Sequence, residues 1–142
     1  MILTYPRGIR FLCTKCAMCC RDTPTRARQI LLLKRDAQQI SEMTGQAILS
    51  FAEPSQRETR FPYEMKKVDG CCIFLKGNNC TIYEGRPLLC RCYPFSLKRR
   101  KNIYSFHPTH ECPAIGDGEK LGRQFFADLL KLTLERFGED ND

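Results

Sequence analysis

Ten cysteines stand in this chain of 142 residues, and their spacing is the feature most able to do chemistry. Cys13, Cys16, Cys19 and Cys20 form a tight first group, reading Cys-Thr-Lys-Cys-Ala-Met-Cys-Cys. Cys71, Cys72, Cys80, Cys90 and Cys92 form a second group, with Cys112 further on. A thiol at every third residue points several sulfurs into one small volume. That suits a multi-thiolate metal site better than a set of disulfides.

Three chemistries compete for these thiols. The even cysteine count fits disulfides, but residues 1–12 carry Tyr5, Pro6, Arg7 and Arg10 and lack the apolar run of an export signal. A cytoplasmic chain is therefore expected, in a reducing compartment where thiols stay free or bind metal. Structural zinc is commonly held by two Cys-x-x-Cys knuckles. Cys13 and Cys16 make one, and the distal group offers no second. His107 and His110 are possible nitrogen ligands, but their spacing across Pro108 reads as polar surface. An iron–sulfur cluster of the 4Fe-4S type takes four thiolates, three of them often close together in a loop. Cys13, Cys16 and Cys19 match that step, and Cys72, Cys80, Cys90 or Cys112 would complete it. The thiols are numerous enough for a second centre.

The elements that must position these groups are short. An apolar run at 29–33 reads as a buried strand. Residues 34–44 follow as a helix, with Ala37, Ile40 and Met43 at helical spacing and Gly45 just past its end. A second short helix is expected over 46–53, burying Ile48, Leu49 and Phe51 and stopped by Pro54. The pair has the outline of a helix-turn-helix, but the second helix offers only Gln46 and Ser50 to a groove, with no basic residue. Strands are expected at 63–68, 71–75, 80–83 and 103–106. Lys76-Gly77-Asn78-Asn79 serves as hairpin punctuation that would bring Cys72 close to Cys80. Pro87 suits the first position of a short helix or turn. Residues 119–137 read as the strongest helix, with Asp117 capping it, Gly138 ending it, and a frayed acidic tail over 138–142. The fold class is α+β: one small cysteine-rich domain over 1–142, with the cysteine module at 11–118.

Order, spacing and flanking residues together carry a family likeness. Cys13-x-x-Cys16-x-x-Cys19-Cys20 is followed by Cys72-Ile73-Phe74-Leu75 and by Cys80-Thr81-Ile82-Tyr83-Glu84-Gly85-Arg86-Pro87. Cys90-Arg91-Cys92-Tyr93-Pro94-Phe95 and Cys112-Pro113-Ala114-Ile115-Gly116-Asp117-Gly118 complete the set. The whole resembles the YkgJ-type cysteine-cluster family of zinc- or iron-chelating domains. The resemblance implies metal ligands at Cys13, Cys16, Cys19, Cys20, Cys72, Cys80, Cys90 and Cys112, with Cys71 and Cys92 as extras. It also implies a departure at Ala17, where glycine often follows the second cysteine. The flagellin lysine methylase, a larger iron–sulfur and S-adenosylmethionine enzyme, belongs to the same family. The likeness therefore brings oxidoreductase- or methyltransferase-like activity with it as an expectation. No glycine-rich nucleotide loop follows a strand here.

Other residues of these motifs have physical roles. Arg86 and Arg91 flank Cys90 and are the candidate cofactor-binding residues, donating to cluster sulfurs or to a bound anion. An ion pair with Glu84 or Asp69 is the plainer alternative. Tyr83, Tyr93 and Phe95 are placed to shield a centre from water. A net charge of +7, with a run at Lys98-Arg99-Arg100-Lys101, favours a redox or acidic protein partner. Nucleic acid is a weaker fit, and no stretch is long and apolar enough for a membrane span. The leading expectation is an iron–sulfur protein with a redox or protein-modification role. The alternative is a zinc-stabilised module that binds nucleic acid or an acidic protein.

Overall fold

The computed structural model describes residues 1–13, 17–24, 26–56, 60–109 and 112–140, without the side chains of Met18, Glu139 and Asp140. Strands β1 (Ile2–Thr4) and β2 (Arg10–Phe11) precede a 3-10 turn at Met18–Cys20. Then come β3 (Leu31–Leu32), α1 (Lys34–Thr44), α2 (Ile48–Phe51), β4 (Ala52–Pro54), β5 (Tyr63–Met65) and β6 (Lys67–Val68). The second cysteine group spans β7 (Cys71–Cys72), β8 (Leu75–Lys76), β9 (Asn79–Cys80), a 3-10 turn at Tyr83–Gly85 and α3 (Leu88–Cys92). The chain ends with β10 (Phe95–Arg100), β11 (Ile103–Pro108), β12 (Ile115–Lys120) and α4 (Arg123–Asp140). This is a single small α+β domain, as the sequence reads.

Two cores organise it. In the first, the antiparallel sheet β3-β5-β4 packs with α1 and α2 around Leu32, Ile40, Phe51, Ala52 and Phe74. In the second, the sheet β1-β11-β10 packs against α4. Phe126 is fully buried there, stacked on Tyr5 at 5.0 Å and met edge-on by Phe95 at 5.1 Å. Offset and edge-on contacts of this kind add to the hydrophobic gain of burying the rings.

One buried carboxylate ties the two cores together. Asp36, in the first turn of α1, accepts the Leu33 N–H at 2.9 Å and the Leu88 N–H at 3.2 Å. It therefore caps α1 and also holds the start of α3, the helix that carries Cys90. Asp36→Ala would orphan both buried N–H groups. It is expected to cost about 2–4 kcal/mol, read from denaturant unfolding.

Several expectations need correction. The C-terminal helix begins at Arg123, not 119, because Ile115–Lys120 is spent on an antiparallel ladder with Arg10–Phe11, so Asp117 lies in a strand and caps nothing. Gly138 does not end the helix, which runs on to Asp140. The helix after Gly45 is a single turn, Ile48–Phe51, and Leu49 faces solvent. Its successor residues Ala52–Pro54 pair with β5, and that pairing competes with further helix. Pro87 is the residue before α3, not its first. The basic run Lys98–Lys101 lies on strand β10 and the tip that joins it to β11, an element that its charge had hidden.

Candidate metal centre

The first cysteine group is shaped by a backbone turn. Ala17 sits in the left-handed region (φ 65, ψ 16), and its carbonyl accepts the Cys20 N–H at 3.0 Å. Glycine would adopt this conformation without the crowding that a Cβ brings, a penalty of about 1–2 kcal/mol. The family's usual glycine thus has a conformational reason, and alanine accepts the strain. The turn brings the Cys19 and Cys20 sulfurs within 3.7 Å of each other. Immediately afterwards Arg21 bridges to Cys71, which draws the first group alongside the second.

The second group comes from separate pieces. Cys72 lies on β7, opposite Lys67 on β6. Cys80 lies on β9, opposite Leu75, so the hairpin with its Gly77-Asn78 turn does not pair Cys72 with Cys80. The short ladder begins only at Leu75, yet Cys72 and Cys80 are near enough to line one cavity and for Cys80 to raise the Cys72 thiol. The chain between them still folds back, since Thr81 donates to the Phe74 carbonyl through both its N–H (2.9 Å) and its hydroxyl (2.8 Å). The following turn is close-packed. A Cβ on buried Gly85 would come within 2.7 Å of the Met43 sulfur, so α1 fixes the Glu84-Gly85-Arg86 turn that leads into α3.

These pieces enclose one cavity of about 310 Å³ where the two cores meet. Cys13, Cys19 and Cys20 line it from the first group, Cys72, Cys80 and Cys90 from the second, and Cys112 closes it. Every described candidate ligand therefore reaches one wall or another, while Cys16 lies outside the described residues. Arg86, Arg91, Tyr83, Tyr93 and Phe95 line the cavity as well. Cys71 does not line it. Cys92, read as an extra, does reach the wall, although its thiol lies 3.7 Å from the Thr133 hydroxyl on α4. His107 is exposed on β11 and His110 lies outside the described residues. Every described cysteine is a free thiol. Among the described residues, no three histidine, cysteine or acidic side chains already close on a single ion. The thiols instead face one another around a wider space.

The electrostatics of this space ask for a cation. Burial pushes Cys72 up to about 11, and the like charges of Cys80 and Cys19 add to the shift. Burial also raises Cys80 and Cys90. Cys19 runs the other way, lowered to about 6 by the hydrogen bond from the Cys20 thiol and by the Arg28 guanidinium. Cys20 is correspondingly raised. Thiols that ionise only reluctantly alone, gathered around one cavity, become thiolates when a positive centre joins them.

Arg28 was missed from sequence, since nothing in its spacing marks it. Its Nε donates to the Cys19 carbonyl at 2.9 Å, and its guanidinium lies over the Tyr93 ring. Asp22 fixes the loop by accepting the Arg28 N–H at 2.6 Å and the Lys67 ammonium at 3.0 Å. These two contacts hold the Asp22 carboxyl below the usual carboxylate range.

Arg86 and Arg91 line the cavity and are held by backbone carbonyls. Arg86 Nε donates to the Tyr83 carbonyl, and Arg91 donates to the Arg86 and Glu84 carbonyls. Neither forms an ion pair with Glu84 or Asp69.

The donor set fits a thiophilic metal or an iron–sulfur cluster. The Tyr93 hydroxyl supplies a further sign of fit: it is buried on the cavity's edge with no hydrogen-bond partner among the described residues. Buried orphans of this kind are rare and point to an absent acceptor. Tyr93→Phe is therefore expected to leave the metal-free fold as stable as before. It should weaken metal retention against a chelator by roughly ten-fold, the worth of one charge-assisted hydrogen bond.

Comparison with known proteins agrees with this chemistry. The chain is 39% identical over 139 residues to the uncharacterized protein MJ0661 of Methanocaldococcus jannaschii, covering 89% of this chain and 71% of that protein. It is 33% identical over 137 residues to the uncharacterized protein MJ0939 of the same organism, covering 92% of this chain and 46% of that longer protein. No solved structure matches. The CxxCxxCC family, described as "Putative zinc- or iron-chelating domain", matches residues 12–113, the stretch that supplies every thiol of the cavity wall. The chain belongs to that metal-chelating family.

Proposed function

We propose that this protein holds a 4Fe-4S cluster on cysteine thiolates of the shared cavity and serves a redox or protein-modification reaction. One observation carries the reading: thiols from both cysteine groups and from Cys112 line the same cavity. A single zinc ion needs sulfurs about 2.3 Å from one point. Around this cavity the thiols stand across a volume of about 310 Å³, a better match to a multinuclear centre.

Cys13, Cys16, Cys19, Cys20, Cys72, Cys80, Cys90 and Cys112 form the ligand pool. Bound there, such a cluster supplies one-electron redox chemistry. The protein's own residues do the rest. Arg28 sets positive charge beside Cys19, Tyr93 offers a hydroxyl donor, and Phe95 and Tyr83 limit water. A cytoplasmic setting keeps the thiols reduced. An acidic protein is the matching redox partner for a surface of net charge +7 with a basic hairpin tip.

Anaerobic purification tests this directly. Brown protein with iron and acid-labile sulfide supports the proposal. Colourless protein with stoichiometric zinc replaces it with the zinc-stabilised module.

A further inference from the structure

Three guanidiniums gather beside the cavity without an ion-paired carboxylate among the described residues. Arg86 follows the Tyr83–Gly85 turn, Arg91 lies on α3, and Arg136 lies on α4. Each is held in place by a neutral group. Arg86 lies over the Tyr83 ring, 3.9 Å from its centroid, and donates through Nε to the Tyr83 carbonyl at 3.0 Å. Arg91 is pinned by the Arg86 and Glu84 carbonyls at 3.2 and 3.0 Å. Arg136 donates to Gln39 Oε1 at 2.9 Å, and Gln39 in turn lies against Gly85, next to Arg86.

Burial disfavours the Arg91 charge most, and repulsion from Arg136 and Arg86 adds to it. The carboxylates within its reach are Asp36, engaged by the Leu33 and Leu88 N–H groups, and Glu84; neither forms an ion pair with it. None of the three arginines has a carboxylate within ion-pair distance among the described residues. Thiol compensation accounts for Arg86 in part, since its charge favours the Cys19 and Cys80 thiolates, but the leading positive influence on Cys90 is Arg28 rather than neighbouring Arg91.

Like charges immobilised together by neutral acceptors are costly when unmatched. They repay that cost when a multivalent anion arrives, because the ordering of the side chains is already complete. Guanidiniums also present forked donors suited to phosphate oxygens. We propose that Arg86, Arg91 and Arg136 form a binding subsite for a dianionic phosphoryl group, from free phosphate or a small phosphorylated molecule, beside the thiol-lined cavity. Arg86 and Arg91 also line the cavity, so an anion held there would sit next to the metal centre. The inference goes beyond the metal reading and does not depend on which metal is bound.

Calorimetric titration of the as-purified protein with inorganic phosphate at low ionic strength tests it. Saturable one-to-one binding is expected. Arg136→Gln should weaken it by about ten-fold or more, and Arg136→Lys by less, since the charge survives without the fork. Lys131→Gln, on an exposed face of the same helix, should leave it unchanged. Absence of saturable binding overturns the proposal, as does equal weakening by the Arg136 and Lys131 variants. Metal content, measured on the same samples, separates the two readings. Metal-loaded protein that ignores phosphate sinks the subsite alone, whereas metal-free protein that binds phosphate sinks the metal reading alone.

Discussion

Cys19→Ala and Cys72→Ala are expected to lose the metal and most of the domain's stability with it, whereas Cys71→Ala keeps both. Cys19 and Cys72 come from different groups, yet they line one cavity and feel each other's charge. Metal binding at such a site is also folding energy, about 10–16 kcal/mol for structural zinc in small domains. Removing one ligand forfeits enough of that to exceed an ordinary domain's margin of about 5–15 kcal/mol. Cys16→Ala should behave like Cys19→Ala, from the spacing alone. Cys92→Ala is a subtler case. Its thiol reaches the wall but is engaged by Thr133, so it should retain metal and lose only about 1–2 kcal/mol of packing. Metal analysis with thermal melts checks the series. Full metal in the Cys19 and Cys72 variants contradicts the ligand assignment, and a metal-free Cys92 variant moves Cys92 into the ligand set.

Acidity should act on the same site with a steep and predictable slope. In the metal-free cavity at neutral pH, Cys72 is protonated, pushed up to about 11 by burial, and Cys20, Cys80 and Cys90 are raised as well. Cys19, lowered to about 6, is already mostly thiolate. Binding a cation on Cys19 and three raised thiols therefore releases three protons to solvent. Each released proton makes the apparent affinity change about ten-fold per pH unit, or roughly a thousand-fold for three. Affinity should rise with pH throughout the window from about 6 to 8 and keep rising beyond 8.5, where ordinary thiols are spent. Below about 6 the Cys19 proton joins the others and the dependence steepens. Competition with a chromophoric chelator across this range measures it. A curve that levels off at pH 8 contradicts the raised thiols.

The chemistry was more legible in the sequence than the architecture. Close thiols such as Cys13, Cys19 and Cys20 signal a shared site through local spacing. The helix at Lys34–Thr44 with Gly45 at its end is likewise local, and the structure has both. What failed to show depends on partners far along the chain. Ile115–Lys120 looks like the start of a helix until Arg10–Phe11 lies beside it. Lys98-Arg99-Arg100 looks like a solvated basic run until Ser105, Tyr104 and Ile103 pair with it. Arg28 and Arg136 carry no motif at all. Their roles arise from what the fold sets against them, Cys19 for one and Gln39 for the other.

The pairing of Arg10–Phe11 with Ile115–Lys120 also sets an order of events. Cys112 sits just ahead of the later strand, so the cavity gains its final wall only when the two ends of a loop some hundred residues long meet. The first thiols lack their full set of partners until Cys112 and the strand after it have folded onto them, so a complete centre is loaded only then. Once loaded, the centre becomes a cross-link across that long loop, staple-like in its effect on the unfolded ensemble.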